Sequence, residues 1–146
     1  MKIPTRRLLA STAIGVILTL AATARAQEVV NISANFSDSL TLTETSGGDR
    51  QDCGYHGEEP DYIINLQQDF TYLRFSVEGE GTPTLLMIGP LDTNNKARYC
   101  SQTASDSEEH AEHSGYWSAG KYEVYVGERE KGVQTSYELT VTQERP

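Results

Sequence analysis

The chain has 146 residues, with 12 Lys and Arg against 21 Asp and Glu, for a formal net charge of −9. That length builds one domain around a single modest core. A surface this acidic repels nucleic acid and anionic lipid, and so sets both aside as partners.

The first 26 residues read as a leader. Lys2, Arg6 and Arg7 make a positive start, Leu8–Leu20 an apolar stretch, and Ala24-Arg25-Ala26 a small-residue cleavage site, which is the pattern of a secretory signal peptide. A bilayer span needs about 20 apolar residues; this stretch is shorter and is interrupted by Ser, Thr and Gly. Thr5-Arg6-Arg7-Leu8-Leu9 touches the twin-arginine export pattern. Paired arginines are common in such leaders, however, and a disulfide suits a chain that crosses unfolded and oxidises afterwards. The general secretory route is therefore expected. Cleavage leaves Gln27 first and removes four basic residues and no acidic one, taking the net charge from −9 to −13. The product is expected in the periplasm or the medium, without a membrane span.

Residues 27–38 are expected as an N-terminal arm or edge strand, and 39–146 as the folded domain. No stretch of the latter carries a helical period. Short alternating runs bounded by Gly, Pro, Asn and Asp point instead to an all-β fold. Ser39–Thr43 alternates Leu40 and Leu42 with hydroxyl residues, and a loop with Gly47-Gly48 follows. Asp61–Leu66 is a short, mostly apolar strand. In Thr71–Gly79, Leu73, Phe75 and Val77 face one way. Pro83–Ile88 is a strand stopped by Gly89-Pro90. Ala97–Cys100 is another, leading into an acidic loop that extends to Gly115. In Lys121–Glu128, Tyr122, Val124 and Val126 point inward and Tyr125 points out. In Ser136–Thr142, Tyr137, Leu139 and Val141 point inward, with Glu128 to Gln134 joining the two runs as a polar hairpin loop. About seven or eight strands make a single antiparallel β-sandwich the economical architecture.

Cys53 and Cys100 are the only cysteines, so an oxidising compartment allows one pairing. The bond closes a loop of roughly 48 residues and constrains the unfolded chain by about 4 kcal/mol on the chain-entropy account. A reactive thiol pair or half of a metal site are the competing readings, and no CxxC spacing supports either.

The stretch Gly115-Tyr-Trp-Ser-Ala-Gly-Lys-Tyr-Glu-Val-Tyr-Val-Gly127 resembles a recurring segment of bacterial pre-peptidase C-terminal (PPC-like) domains. The order of strands around it is similar too, from Leu40 to Val141. Cys53-Gly54-Tyr55 followed by Pro60-Asp61-Tyr62 is similar to small secreted single-domain variants, in which two cysteines occupy such positions. The resemblance implies a jelly-roll-like sandwich that accompanies proteases and other hydrolases without being catalytic. Relatives carry a short Asp-rich turn after the second cysteine, at times suggestive of calcium. Here that turn is longer and substitutes Glu and His.

Three chemistries merit weighing. Ser105–Gly115 holds Asp106, Glu108, Glu109 and Glu112 with His110 and His113. On a helical turn the two histidines at i, i+3 reach one ion, with Asp106 or Glu109 as a third ligand, a set suited to Zn²⁺, Ni²⁺ or Cu²⁺. A calcium site would use Asp106, Glu108 and Glu109, but the spacing matches no EF-hand loop. A solvated connection between strands is the plainer reading. Tyr99, Tyr116, Trp117 and Tyr125 offer a platform for a sugar or peptide, although a lone Trp near a strand end more commonly plugs a core, which is expected of Trp117. A small secreted hydrolase needs a base against a nucleophile; His56, His110 and His113 are available, and no GxSxG or HExxH motif accompanies them. The expectation is a secreted, non-catalytic binding or accessory protein of the bacterial envelope, without cofactor, acting on a protein or glycan as a monomer or weak dimer. The alternatives are a protein holding a divalent metal through loop 105–115 and a hydrolase.

Overall fold

The computed structural model describes residues 27–36, 39–103 and 110–146. The expected leader lies outside these residues, as do Asp106 and Glu109. Eleven strands follow one another: β1 (Glu28–Ile32), β2 (Ser39–Thr45), β3 (Arg50–Gln51), β4 (Tyr55–His56), β5 (Tyr62–Leu66), β6 (Phe70–Gly79), β7 (Pro83–Gly89), β8 (Ala97–Gln102), β9 (Ala111–Trp117), β10 (Gly120–Glu128) and β11 (Ser136–Thr142). The described residues contain no helix.

These strands make two sheets. Four form an antiparallel sheet in the order β2-β11-β6-β9. Seven form a second sheet organised around β10. Val124 pairs with Tyr62 of β5 and with Met87 of β7, so those strands lie on opposite edges of β10. Glu128 pairs with Tyr55 of β4 and with Pro83 of β7, so the β3–β4 hairpin continues the β5 side. β1 adds outside β5, and β8 outside β7.

The sandwich agrees with the sequence reading; the strand count and one pairing do not. β1 runs parallel to β5, with Glu28 opposite Tyr62 and Ile32 opposite Leu66. Between them the chain crosses to the other sheet as β2, which lets it return in the same direction. β3 and β4 have two residues each, too few for alternation to register. β9 occupies what the sequence suggests is the end of the acidic loop. Ala111, opposite Val77, His113, opposite Phe75, and Trp117 supply its inward positions. That set is too polar and uneven to read as an apolar strand.

The inward residues of β6, β10 and β11 form one core with Ile32, Tyr62, Ile64 and Leu66 from the N-terminal half. Trp117 closes the side where β8 and β9 meet. Its ring lies 4.8 Å from those of Phe75 and Tyr99 and 5.3 Å from that of Tyr122, and its Nε1 donates to the Leu73 carbonyl at 3.2 Å. A buried ring of this size contributes about 3 kcal/mol through area alone.

β10 ends on a fully buried residue where the sequence suggests a polar loop. Glu128 is 0% exposed. Ser46 Oγ and Thr135 Oγ1 donate to its Oε1 at 2.5 and 2.6 Å, and the Thr82 backbone N–H donates to Oε2 at 2.8 Å. One carboxyl group thereby ties together the β2–β3, β6–β7 and β10–β11 connections, and its three donors are what make its burial tolerable. Gly81 lies so close that a Cβ there would sit 2.6 Å from Oε2. Glu128→Ala strands those donors in a closed site and is expected to lose about 3 kcal/mol in urea unfolding. Glu128→Gln, which keeps the shape and one acceptor, is expected to lose less; an alanine variant within about 0.5 kcal/mol of the parent would show that the network holds little.

Candidate functional site

The acidic, histidine-bearing segment does not bring its histidines together. An i, i+3 pair shares a face on a helix, but here it falls on extended chain, which sends the two rings to opposite faces. His110 lies just before β9 on the outer side, its Nε2 3.3 Å from Glu78 Oε1, and is half exposed. His113 turns inward beside Phe75 and packs edge-on against Tyr99, ring centroids 5.7 Å apart. Burial pushes the His113 pKa down; the carbonyls of Leu85 and Tyr99 and the charge of Glu112 oppose this. Among the described residues no group of three or more His, Cys, Asp and Glu is placed to hold a metal ion.

The four aromatic residues do not share a face. Trp117 is in the core, as expected, and Tyr99 packs against it from β8. Tyr116 is 62% exposed and stands beside Asp69, which also accepts the Ala119 N–H at 2.8 Å. Tyr125 corrects the expectation of exposure: it is 9% exposed. Alternation does place it opposite Tyr122, yet that outer face is covered by the segment between β2 and β5.

That cover is the most distinctive local arrangement in the molecule. Residues 46–61, which include β3 and β4 at the end of β10, fold over the outer side chains of β7 and β10 and contribute no side chain to the main core. His56 of β4 packs on Tyr125, ring centroids 4.6 Å apart, and its Nδ1 meets the Gly57 carbonyl. Beneath the segment lie Thr84, fully buried, and Leu86, 1% exposed and outside the main core. Gly54, at φ +85°, approaches so closely that a Cβ would fall 2.6 Å from Thr84 Oγ1, so only glycine fits. The segment is fastened to β8 twice, by Cys53–Cys100 with Cα atoms 5.6 Å apart and by an Arg98–Asp52 ion pair. The predicted bond is thus present, but on the outside of a sheet rather than between the sheets.

The energetics of this cover nearly cancel. Burying Leu86 and Tyr125 contributes about 1.5–3 kcal/mol each. Against this, His56 Nε2 and Thr84 Oγ1 are buried without a hydrogen-bond partner in the protein, at roughly 1–3 kcal/mol each. Cys53 sits at φ +52°, a left-handed conformation that costs about 1–2 kcal/mol outside glycine.

Two further features were not legible. The outer face of the four-stranded sheet carries an open groove of about 660 Å³ with Glu78, Glu80 and Glu138 on its rim; Glu138 and Glu78 are direct cross-strand neighbours, a mildly repulsive pair. Asp61 enters β5 with its backbone N–H on the Val124 carbonyl and its Oδ2 accepting the Val126 N–H at 2.7 Å. Burial pushes its pKa up to about 6, with the charge of Glu44 adding to the rise. Burial first, and then Asp61, also raise the pKa of the Tyr137 phenol.

Together, the two sheets and their clasped outer cover make a disulfide-bearing β-sandwich. The fold is shared with the crystal structure of the pre-peptidase C-terminal domain of collagenase from Bacillus anthracis, at a TM-score of 0.52 and 24% identity, over 82% of this chain and 99% of that one. No protein-family model matches the chain. An uncharacterized protein of Synechococcus elongatus is 36% identical over 108 residues, which is 70% of this chain and 75% of the relative, and the chain belongs to that protein's family.

Two measurements follow from this geometry. His110→Ala is expected to leave stability within about 0.5 kcal/mol, whereas His113→Ala, which empties a half-buried position beside Tyr99, is expected to lose about 1–2 kcal/mol. Equal effects in thermal unfolding would contradict this placement. The folded state binds the Asp61 proton more tightly than the unfolded chain does. Its stabilising share is therefore complete below about pH 4 and fades as pH rises through about 6. Asp61→Asn is expected to gain up to about 3 kcal/mol at pH 7 and nothing at pH 3.5; a gain independent of pH would assign it another cause.

Proposed function

We propose that the chain is an exported, non-catalytic binding protein of the bacterial envelope, acting on a protein or glycan partner. The observation that carries this reading is a disulfide-fastened sandwich with the fold of the collagenase's pre-peptidase C-terminal domain. The bond requires an oxidising compartment, which the leader of residues 1–26 would supply. The placement of the histidines supports a non-catalytic role: His56 is stacked on Tyr125, His110 is set against Glu78, and His113 is turned in on Tyr99. Each ring is thus engaged by packing or by an acidic neighbour. The acidic surface favours partners carrying positive charge and makes binding salt-sensitive.

Fractionation with N-terminal sequencing tests the first half of the reading. The expected product begins at Gln27, sits in the periplasm or the medium, and carries no free thiol. Recovery of an uncleaved, reduced chain in the cytoplasm would sink the proposal. The second half is tested by sedimenting the purified protein with isolated envelope fractions and assaying it against ester and peptide substrates. Saturable binding that weakens with salt, without turnover, is the expected result. Turnover abolished by His56→Ala would replace it with the hydrolase reading. Micromolar Zn²⁺, Ni²⁺ or Cu²⁺ binding in calorimetry that is abolished in the His110→Ala/His113→Ala variant would replace it with the metal-binding one.

A further inference from the structure

We propose that Cys53–Cys100 is a redox-operated clasp, whose reduction by a dithiol releases residues 47–60 from the outer face of the seven-stranded sheet while the two-sheet core stays folded. The inference rests on the fold and holds whatever the partner of the protein.

Three observations carry it. The segment is separable, because no side chain between Ser46 and Asp61 belongs to the main core. Between its two ends, where Ser46 is tied to Glu128 and Asp61 to Val126, the segment is held by two-residue strands, a single β4–β10 register pair, a few backbone bonds, the Arg98–Asp52 ion pair and the disulfide. The segment is also poorly matched to what it covers. His56 Nε2 and Thr84 Oγ1 are buried without a hydrogen-bond partner in the protein and Cys53 is held at positive φ, so opening relieves about as much as it forfeits in burial of Leu86 and Tyr125. Where two non-covalent tendencies balance, a covalent link decides the position. Finally, the bond is reachable: Cys100 points away from the core on β8, an outer strand, and is exposed.

The chemistry is thiol–disulfide exchange with a dithiol of a partner protein or a small molecule. A thiolate of the dithiol attacks Cys100 Sγ, and the Cys53–Cys100 bond breaks. Cys53 leaves as a thiolate and takes up a proton. The second thiol of the reductant then attacks the mixed disulfide, frees Cys100 and leaves the reductant as a disulfide. Two electrons pass to the clasp, and oxidation by a disulfide donor reverses each step. Opening uncovers Leu86, Tyr125 and the edge of β10 at Glu128, so the two redox states present different surfaces.

The test is hydrogen exchange by mass spectrometry on the purified chain, oxidised and after millimolar dithiothreitol without denaturant, with thiols counted by alkylation. The expected result is two free thiols and at least a hundredfold faster exchange across 47–57, with β6, β11 and the Gly120–Val124 part of β10 changing less than threefold. Continued protection of 47–57 once both thiols are free would overturn the proposal. So would loss of protection in every strand together, or a bond that resists reduction until the protein is denatured. One variant separates a sprung cover from a loop that is merely unfastened. Thr84→Val removes the unpartnered hydroxyl while keeping the shape, and is expected to slow exchange of 47–57 in the reduced protein about tenfold; no slowing would overturn the account of what opens the clasp.

Discussion

Strand β10 is bonded along both edges and, from Val124 onward, buried on both faces. Other elements are positioned against it. β5 and β7 take its two edges, and through them β1 and β8 find their places. Its inward side chains, Tyr122, Val124 and Val126, meet the second sheet, while Tyr125 on the other side is covered by a different part of the chain. Its final residue, Glu128, gathers donors from three connections. A strand covered on both faces ordinarily reads as a continuous apolar run. This one carries a glutamate at its end because a polar group is the only kind of side chain that can bond hydroxyls and an amide from three loops at once.

The two covers of that strand differ in quality. On the inside, rings and branched side chains interlock around Trp117 with aromatic contacts at 4.8 to 5.3 Å, and the polar atoms without a hydrogen-bond partner in the protein are the Nε2 of His113 and the hydroxyl of Tyr137. On the outside, a short irregular segment lies over two apolar side chains and two unsatisfied polar atoms. The single disulfide is found at the second, where packing is poorest. In a small exported domain a cross-link is commonly credited with compensating for a small core; here the core forms without either cysteine, and the link instead holds what packing alone does not.

Much of the fold was legible, for a definite reason. β6, β10 and β11 alternate Leu, Phe, Val and Tyr with polar residues over seven residues or more, and that signal survives in the folded protein. β9 was not legible because an outer strand of a sheet can fill its inward positions with Ala, His and Gly once a neighbouring Trp supplies the volume. Alternation placed Tyr125 on the correct face and still misjudged its exposure, since periodicity reports which face a residue occupies and not whether something else lies on it. Counting located the disulfide, because two cysteines pair in one way. The histidines misled for the opposite reason: a three-residue spacing means proximity only if the local backbone is helical, and Ala111–Trp117 is a strand. Nothing local marks Glu128 as buried, because its donors come from Ser46, Thr82 and Thr135, far apart in sequence.

The connection between β8 and β9 is anchored firmly at both ends. Thr103 bonds the Pro83 carbonyl through its hydroxyl at 3.1 Å, and Ala111 sits in the core opposite Val77. Between such anchors, closing a loop of twice the length costs only about 0.6 kcal/mol more. This makes the span a place where a lineage, or a designer, can exchange one peptide for another of different length and chemistry. The scaffold would register almost none of the change, so diversity among relatives is expected to concentrate there while the strands on either side stay fixed.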